Sequence, residues 1–122
     1  MRNLLTITLA LGLLMPAGCK SDAATSQQRA EAALDRALDT WVRGEPPDRL
    51  EGIRIDDPDW RAGLRLVGFL VSRSSGVEGA PDEVRCRVAL TLQDRTGRRV
   101  EREAEYRVRL AEPIAVERTT AP

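Results

Sequence analysis

From Val84 to Leu110 the chain places its apolar side chains at even-numbered positions on both sides of a break at Asp94-Arg95-Thr96-Gly97-Arg98. Val84, Cys86, Val88, Leu90 and Leu92 alternate with polar residues before the break. Val100, Ala104, Tyr106, Val108 and Leu110 do so after it. Period-two alternation marks a strand with one buried face, and parity then restricts the turn between two such strands. A two-residue loop at Arg95-Thr96 pairs Asp94 with Gly97, an odd sum, and turns one apolar set outward. A three-residue loop Arg95-Thr96-Gly97, closed by Asp94 and Arg98, keeps both sets on one face. It also puts Gly97 where that loop type takes a left-handed residue. The register expected from this sets Cys86 opposite Tyr106, Val88 opposite Ala104, Leu90 opposite Arg102 and Leu92 opposite Val100. On the other face Arg87 meets Glu105, a favourable cross-strand pair.

The same parity at Ala111-Glu112-Pro113 pairs Leu110 with Ile114 and Val108 with Val116, and predicts a short strand from Ile114 to Arg118. Upstream, residues 64–73, "LRLVGFLVSR", are apolar on both faces and read as a central or covered strand. "SSGVEGAPD" reads as a Gly-rich loop leading to a strand over 83–93, and the third long strand spans 98–110. Residues 26–43 place Ala30, Ala33, Leu34, Ala37, Leu38, Trp41 and Val42 on one stripe of a helix. Thr25 and Gln28 are spaced for a capping box, Gly44 suits the C′ position, and Pro46-Pro47 forbids continuation. Ile53 and Ile55 suggest a short strand. "DPDWRAG", 57–63, reads as one helical turn capped by Asp57, opened by Pro58 and ended by Gly63. A chain of 122 residues holds one domain. The expected class is α+β: an N-terminal helix packed on a curved antiparallel sheet of three to four strands over residues 26–118, with 119–122 as a tail.

The amino-terminal segment sets the expected location. Arg2 precedes an apolar run from Leu4 to Met15, shorter than the roughly 20 residues a spanning helix needs and laid out like an export signal over residues 1–18. For ordinary signal cleavage near here, Asp22 or Pro16 falls at the third position before the cut, where a small residue is wanted. The run Ala17-Gly18-Cys19 resembles the end of a bacterial lipobox, whose cysteine is diacylated and becomes the first residue of the mature protein. Pro16 stands where that motif usually has leucine or another aliphatic. On this reading the lipid attachment site is Cys19, and residues 19–25 are the lipidated cysteine and a tether. Extended, residues 20–25 reach about 20 Å. Two acyl chains satisfy the two-signal requirement for stable membrane anchoring. The expected location is the bacterial cell envelope, facing the periplasm, with Lys20 in place of aspartate leaning toward the outer membrane. Cys86 is then without a partner and reads as a buried small hydrophobe. Without lipidation the chain is a secreted soluble domain with a Cys19–Cys86 disulfide.

The remaining residues narrow the chemistry. Nineteen basic residues balance 19 acidic ones, and histidine is absent. Balanced charge supplies no electrostatic footprint for nucleic acid, and the missing histidines remove the usual general base and metal ligand. Asp56, Asp57 and Asp59 lack EF-hand spacing and read as capping and turn chemistry rather than a metal site. No nucleophile–base pair or phosphate loop is present, and no cofactor is expected. Arg102 interrupts the apolar face of its strand, with Tyr106 two positions along the same face. The pair either lines a polar pocket, or Arg102 snorkels to water near the sheet edge. Trp41 and Trp60 read as core and lid, and the alternating Arg and Glu of 98–110 as a solvated face.

"TW..G.PP..L" from Thr40, "DPDW..G..L" from Asp57 and the charged hairpin together resemble small bacterial lipoproteins with a cystatin-like roll. That group of folds includes the nuclear transport factor 2-like and ketosteroid isomerase-like domains. The resemblance implies a sheet wrapped around the helix over about residues 27–118, with a concave mouth. The expected function is a lipid-anchored envelope protein with a non-catalytic binding or interaction role, an envelope protein being the possible partner. The alternative is a small enzyme using the sheet cavity around Arg102 and Tyr106.

Overall fold

A computed structural model describes residues 22–119; the segment expected to be an export signal (1–18), Cys19 and the end of the expected tail (120–122) lie outside the described residues. Helix α1 (Asp22–Val42) is followed by a 3₁₀ turn (Pro47–Arg49), β1 (Ile53–Asp56), a short α2 (Pro58–Arg61), β2 (Arg65–Val77), β3 (Ala80–Gln93), β4 (Arg99–Arg109) and β5 (Ile114–Thr119). The strands form one five-stranded mixed sheet in the order β1-β5-β4-β3-β2. The fold is therefore α+β with one main helix on the sheet, but with five strands rather than three to four.

The stripe of α1 lies inward as its spacing demands. Ala30, Ala33, Leu34, Ala37, Leu38 and Trp41 are all buried, and they meet Leu66, Val84, Cys86, Val88, Leu90, Tyr106 and Val108 from the sheet. Small alanines let the helix lie close to the strands. The helix starts at Asp22, so Thr25 lies inside it rather than capping it, and 22–25 are helical rather than tether. Ala23 and Ala24 extend the helix at little cost. It ends as expected. Gly44 takes φ 75°, its N–H donates to the Trp41 carbonyl at 2.9 Å, and the Glu45 N–H donates to Thr40 at 3.1 Å, a Schellman closure.

The β3–β4 hairpin has the register that parity requires. Cys86 faces Tyr106, Val88 faces Ala104, Leu90 faces Arg102, Leu92 faces Val100 and Arg87 faces Glu105. Asp94 N–H donates to Arg98 O at 3.0 Å across the loop, and Gly97 sits at φ 90°. Val108 faces Val116 on β5 as expected.

Two strands differ from expectation. β1 pairs in parallel with β5, Ile53 with Ile114 and Ile55 with Val116, so the sheet is mixed and β5 is an interior strand. A parallel partner reached across the whole sheet carries no local turn signal. β2 is an edge strand, bonded to β3 alone. Its apparent apolarity on both faces comes from register shifts at Val67 and Ser72. Each β-bulge inserts one residue and reverses the alternation. Leu66, Phe69 and Val71 thereby all join the core side, while Leu70 is 67% exposed. The stretch expected as a Gly-rich loop is instead paired strand on both sides of a tight turn at Glu78-Gly79, with Ser74 facing Cys86 and Gly76 facing Val84. Cross-strand pairing outweighs the poor strand propensity of Ser and Gly.

Candidate functional site

The polar residues singled out in the sequence converge at one corner of the core. β1 ends at Asp56 and the chain turns into α2. Asp57 is the N-cap, with extended backbone, and Pro58 fills the first helical position. One oxygen of the Asp57 carboxylate accepts from the N–H of Asp59 at 2.9 Å and of Trp60 at 3.3 Å, the ordinary work of a cap. Gly63 closes the turn at φ 89°.

The Asp57 side chain is also fully buried and ionically paired. Arg118 of β5 donates Nη1 to Asp57 Oδ1 at 2.8 Å and Nη2 to Asp59 Oδ2 at 2.7 Å. Its side chain is only 7% exposed. Tyr106 of β4 donates its hydroxyl to Asp57 Oδ2, and the guanidinium lies 5.9 Å from the tyrosine ring centroid. Arg102 reaches the same cluster, donating Nη1 to Asp59 Oδ2 at 2.8 Å, with 45% of its side chain exposed. The cluster thus holds two carboxylates, two guanidiniums and a phenol in one chain of hydrogen bonds. Its formal charge sums to zero, the condition under which buried charge is tolerable.

This arrangement places the predicted pair differently from a shared pocket. Arg102 and Tyr106 are joined through Asp59, Arg118 and Asp57, not through a cavity. Tyr106 is wholly buried, and its hydroxyl is taken up by Asp57. A hollow of about 510 Å³ does border Arg102, over Gly68, Leu70, Ala89 and Thr91, but Tyr106 does not line it. Arg102 finds an acceptor in Asp59 while keeping part of its length in water.

Electrostatics favour the paired state of the clasp. Burial, the Asp57 charge and the hydrogen bond to Asp57 push the Tyr106 phenol far above its ordinary range, against a smaller opposing pull from Arg118. For Arg118, burial pulls downward, but the hydrogen bond to Asp59 and the Asp57 charge outweigh it and hold the guanidinium protonated. The phenol and both carboxylates are engaged with one another and with the two arginines. The role the geometry fits is mechanical: it ties α2, between β1 and β2, to β4 and β5.

Arg118 was not singled out as a site residue by sequence reasoning. It lay at the expected end of the last strand as one arginine among many, and only its register beside Tyr106 reveals it. Trp60 of the same α2 stacks on Trp41 with centroids 5.1 Å apart and planes at 3°. Trp41 Nε1 donates to Leu64 O at 2.9 Å. The two tryptophans, with Pro46 and Pro47, wall a surface hollow of about 350 Å³. Cys86 is buried on the inner face; burial, helped by the charge of Glu31, pushes its thiol up to about 11. Among the described residues no group of three Cys, Asp or Glu side chains is disposed to hold a metal ion, and no helix is long and apolar enough to cross a membrane.

No protein-family model matches the chain, and no curated protein or solved structure is significantly similar to it.

Proposed function

We propose that this protein is a lipid-anchored module of the bacterial cell envelope, with a non-catalytic binding or interaction role. The observation that carries the proposal is "LLMPAGCK", residues 13–20: an apolar run and then Ala17-Gly18-Cys19 ahead of the polar chain. Diacylation at Cys19 supplies two hydrocarbon chains, and each buried CH₂ contributes about 0.8 kcal/mol to membrane residence. Helix α1 begins at Asp22, so on this reading few residues separate the lipid from the folded domain. The domain rides close to the bilayer, facing the periplasm, with the outer membrane favoured by Lys20. Its partners are the membrane itself and an envelope protein, and the balanced charge argues against nucleic acid. Within this reading the domain is a variant of the cystatin-like roll, with a parallel β1 added beside β5. The non-catalytic character is supported by the clasp, in which Tyr106, Asp57, Arg118, Asp59 and Arg102 bind one another.

The test is metabolic labelling with palmitate of cells expressing the full chain and its Cys19→Ser variant. Label on the parent chain that disappears in the variant, together with loss of the protein from the membrane fraction, supports the reading. Label that persists in Cys19→Ser, or a parent chain without label, overturns it.

A further inference from the structure

We propose that the outer face of the β2–β3 hairpin is an oxyanion-binding site, formed by Arg73, Arg85 and Arg87 with Ser75 and recognising a phosphate-class group. The inference is independent of how the chain is anchored.

The bulge at Ser72 creates the site. Val71 faces Val88 on the core side, and in a regular strand Arg73 would follow Val71 to that same side. The inserted Ser72 reverses the alternation, so that Arg73 stands directly opposite Arg87 and Ser75 opposite Arg85 on the solvent face. Ser72 is held in this place by its hydroxyl, which donates to the Arg87 carbonyl at 3.2 Å. On the inner side Ser74 fastens the same stretch to α1: its hydroxyl donates to Glu31, and its carbonyl accepts from Gln27 Nε2 at 3.2 Å. The strand is thereby set in the register that brings two like charges face to face.

Like charges directly opposite across a ladder destabilise it, and a bulge forfeits a ladder pairing. Both costs fall at one spot, and local rules broken together mark places shaped for something other than stability. The charge is only partly offset from nearby, by Glu105, which faces Arg87 across the ladder. Arg107, on the neighbouring strand, has Glu83 at 3.2 Å and Glu117 at 3.8 Å. Arg85 has only Glu105, at 3.9 Å. Arg73 and Arg87 form no ion pair among the described residues. A hollow of about 180 Å³ lies between Arg73, Ser75, Arg85, Cys86, Arg87 and Glu105. It holds three guanidiniums against one carboxylate. Planar guanidiniums on adjacent strands, with a hydroxyl donor beside them, match the several acceptor oxygens of a phosphate monoester or diester. The hollow is smaller than the sites that enclose whole small molecules, so the group recognised is an exposed phosphate, free in solution or on a lipid headgroup.

The experiment follows the arginine Nε–H resonances of the full chain carrying Cys19→Ser during titration with inorganic phosphate, with sodium chloride at matched ionic strength as control. Saturable shifts confined to Arg73, Arg85 and Arg87 are expected, with chloride leaving them in place. Arg73→Ala and Arg87→Ala should each weaken apparent phosphate affinity by about three- to tenfold, as loss of one charge-assisted contact at an exposed site does. Arg99→Ala, at the far end of the same face, should leave it unchanged. Chloride shifts equal to those of phosphate, or an Arg99→Ala effect equal to the others, overturn the proposal. So do unmoved curves in both cluster variants whose amide spectra show them folded. Binding to phosphatidylcholine vesicles with and without phosphatidylglycerol separates the sources. A phosphatidylglycerol-dependent increment lost in Arg73→Ala and Arg87→Ala assigns the lipid headgroup. Phosphate binding without that increment assigns the free anion.

Discussion

Replacing Asp57 by alanine should remove a large part of the protein's stability. The carboxylate accepts from four donors: the Asp59 and Trp60 N–H groups, the Tyr106 hydroxyl and Arg118 Nη1. Losing the cap alone costs about 1 kcal/mol. The larger loss comes from leaving a buried guanidinium and a buried hydroxyl without their acceptor, about 3–5 kcal/mol for breaking such a pair. Arg118 keeps Asp59 at 2.7 Å, which favours the lower end, so the sum is about 4 kcal/mol. Against a total of about 5–15 kcal/mol for a domain, the variant is near the edge of folding. Urea denaturation followed by tryptophan fluorescence measures it, since Trp60 sits on the turn that Asp57 caps. At an m-value of about 1–1.5 kcal/mol/M the midpoint should fall by roughly 3 M. Tyr106→Phe provides a milder arm with an expected loss of about 1–2 kcal/mol. Asp57→Asn combined with Tyr106→Phe should cost less than the separate effects added together, by about 1 kcal/mol. An Asp57→Ala loss under about 1 kcal/mol, or strict additivity of the milder pair, would refute the clasp as an energetic unit.

Leu66 and Leu70 share parity on one strand, yet Leu66 is 1% and Leu70 is 67% exposed; Leu66→Ala should cost about 2–5 kcal/mol and Leu70→Ala under about 1. Equal costs by chemical denaturation would count against the bulge at Val67. Gly97→Ala, at φ 90°, should destabilise the hairpin by about 1–2 kcal/mol through backbone strain alone, readable as a lower thermal midpoint with unchanged far-ultraviolet circular dichroism. Because the folded-state pKa of Cys86 is raised from 9.0 to about 11, its contribution is fully present below pH 9.0 and is lost as pH rises to about 11. Cys86→Ala should therefore flatten the decline in unfolding free energy over that window, while a slope unchanged by the substitution would exclude the thiol as its source.

Much of the core is legible in the sequence. The helical stripe from Ala30 to Trp41, the hairpin register about Gly97 and the capped turn at Asp57 are written in spacing and turn chemistry, and each depends on residues close in sequence. A side chain at i+4 or across a three-residue loop has its neighbour determined by local geometry. The partners of that same Asp57 were not legible. Tyr106 and Arg118 lie 49 and 61 residues away, and nothing in an arginine's own neighbourhood says that it will be buried.

The sequence by itself determined which faces turn inward wherever alternation is unbroken. Only the tertiary structure decided the rest. The parallel pairing of β1 with β5 closes a long loop whose entropy carries no sequence mark, and of the bulges at Val67 and Ser72 that reverse alternation only the first has a glycine, Gly68, beside it. Those reversals assign Leu66 to the core and Leu70 to water, and they set Arg73 against Arg87. They arise because the inner side chains of β2 must pack against α1 and the β3 ladder at once. That compromise exists only after the helix and the sheet have met.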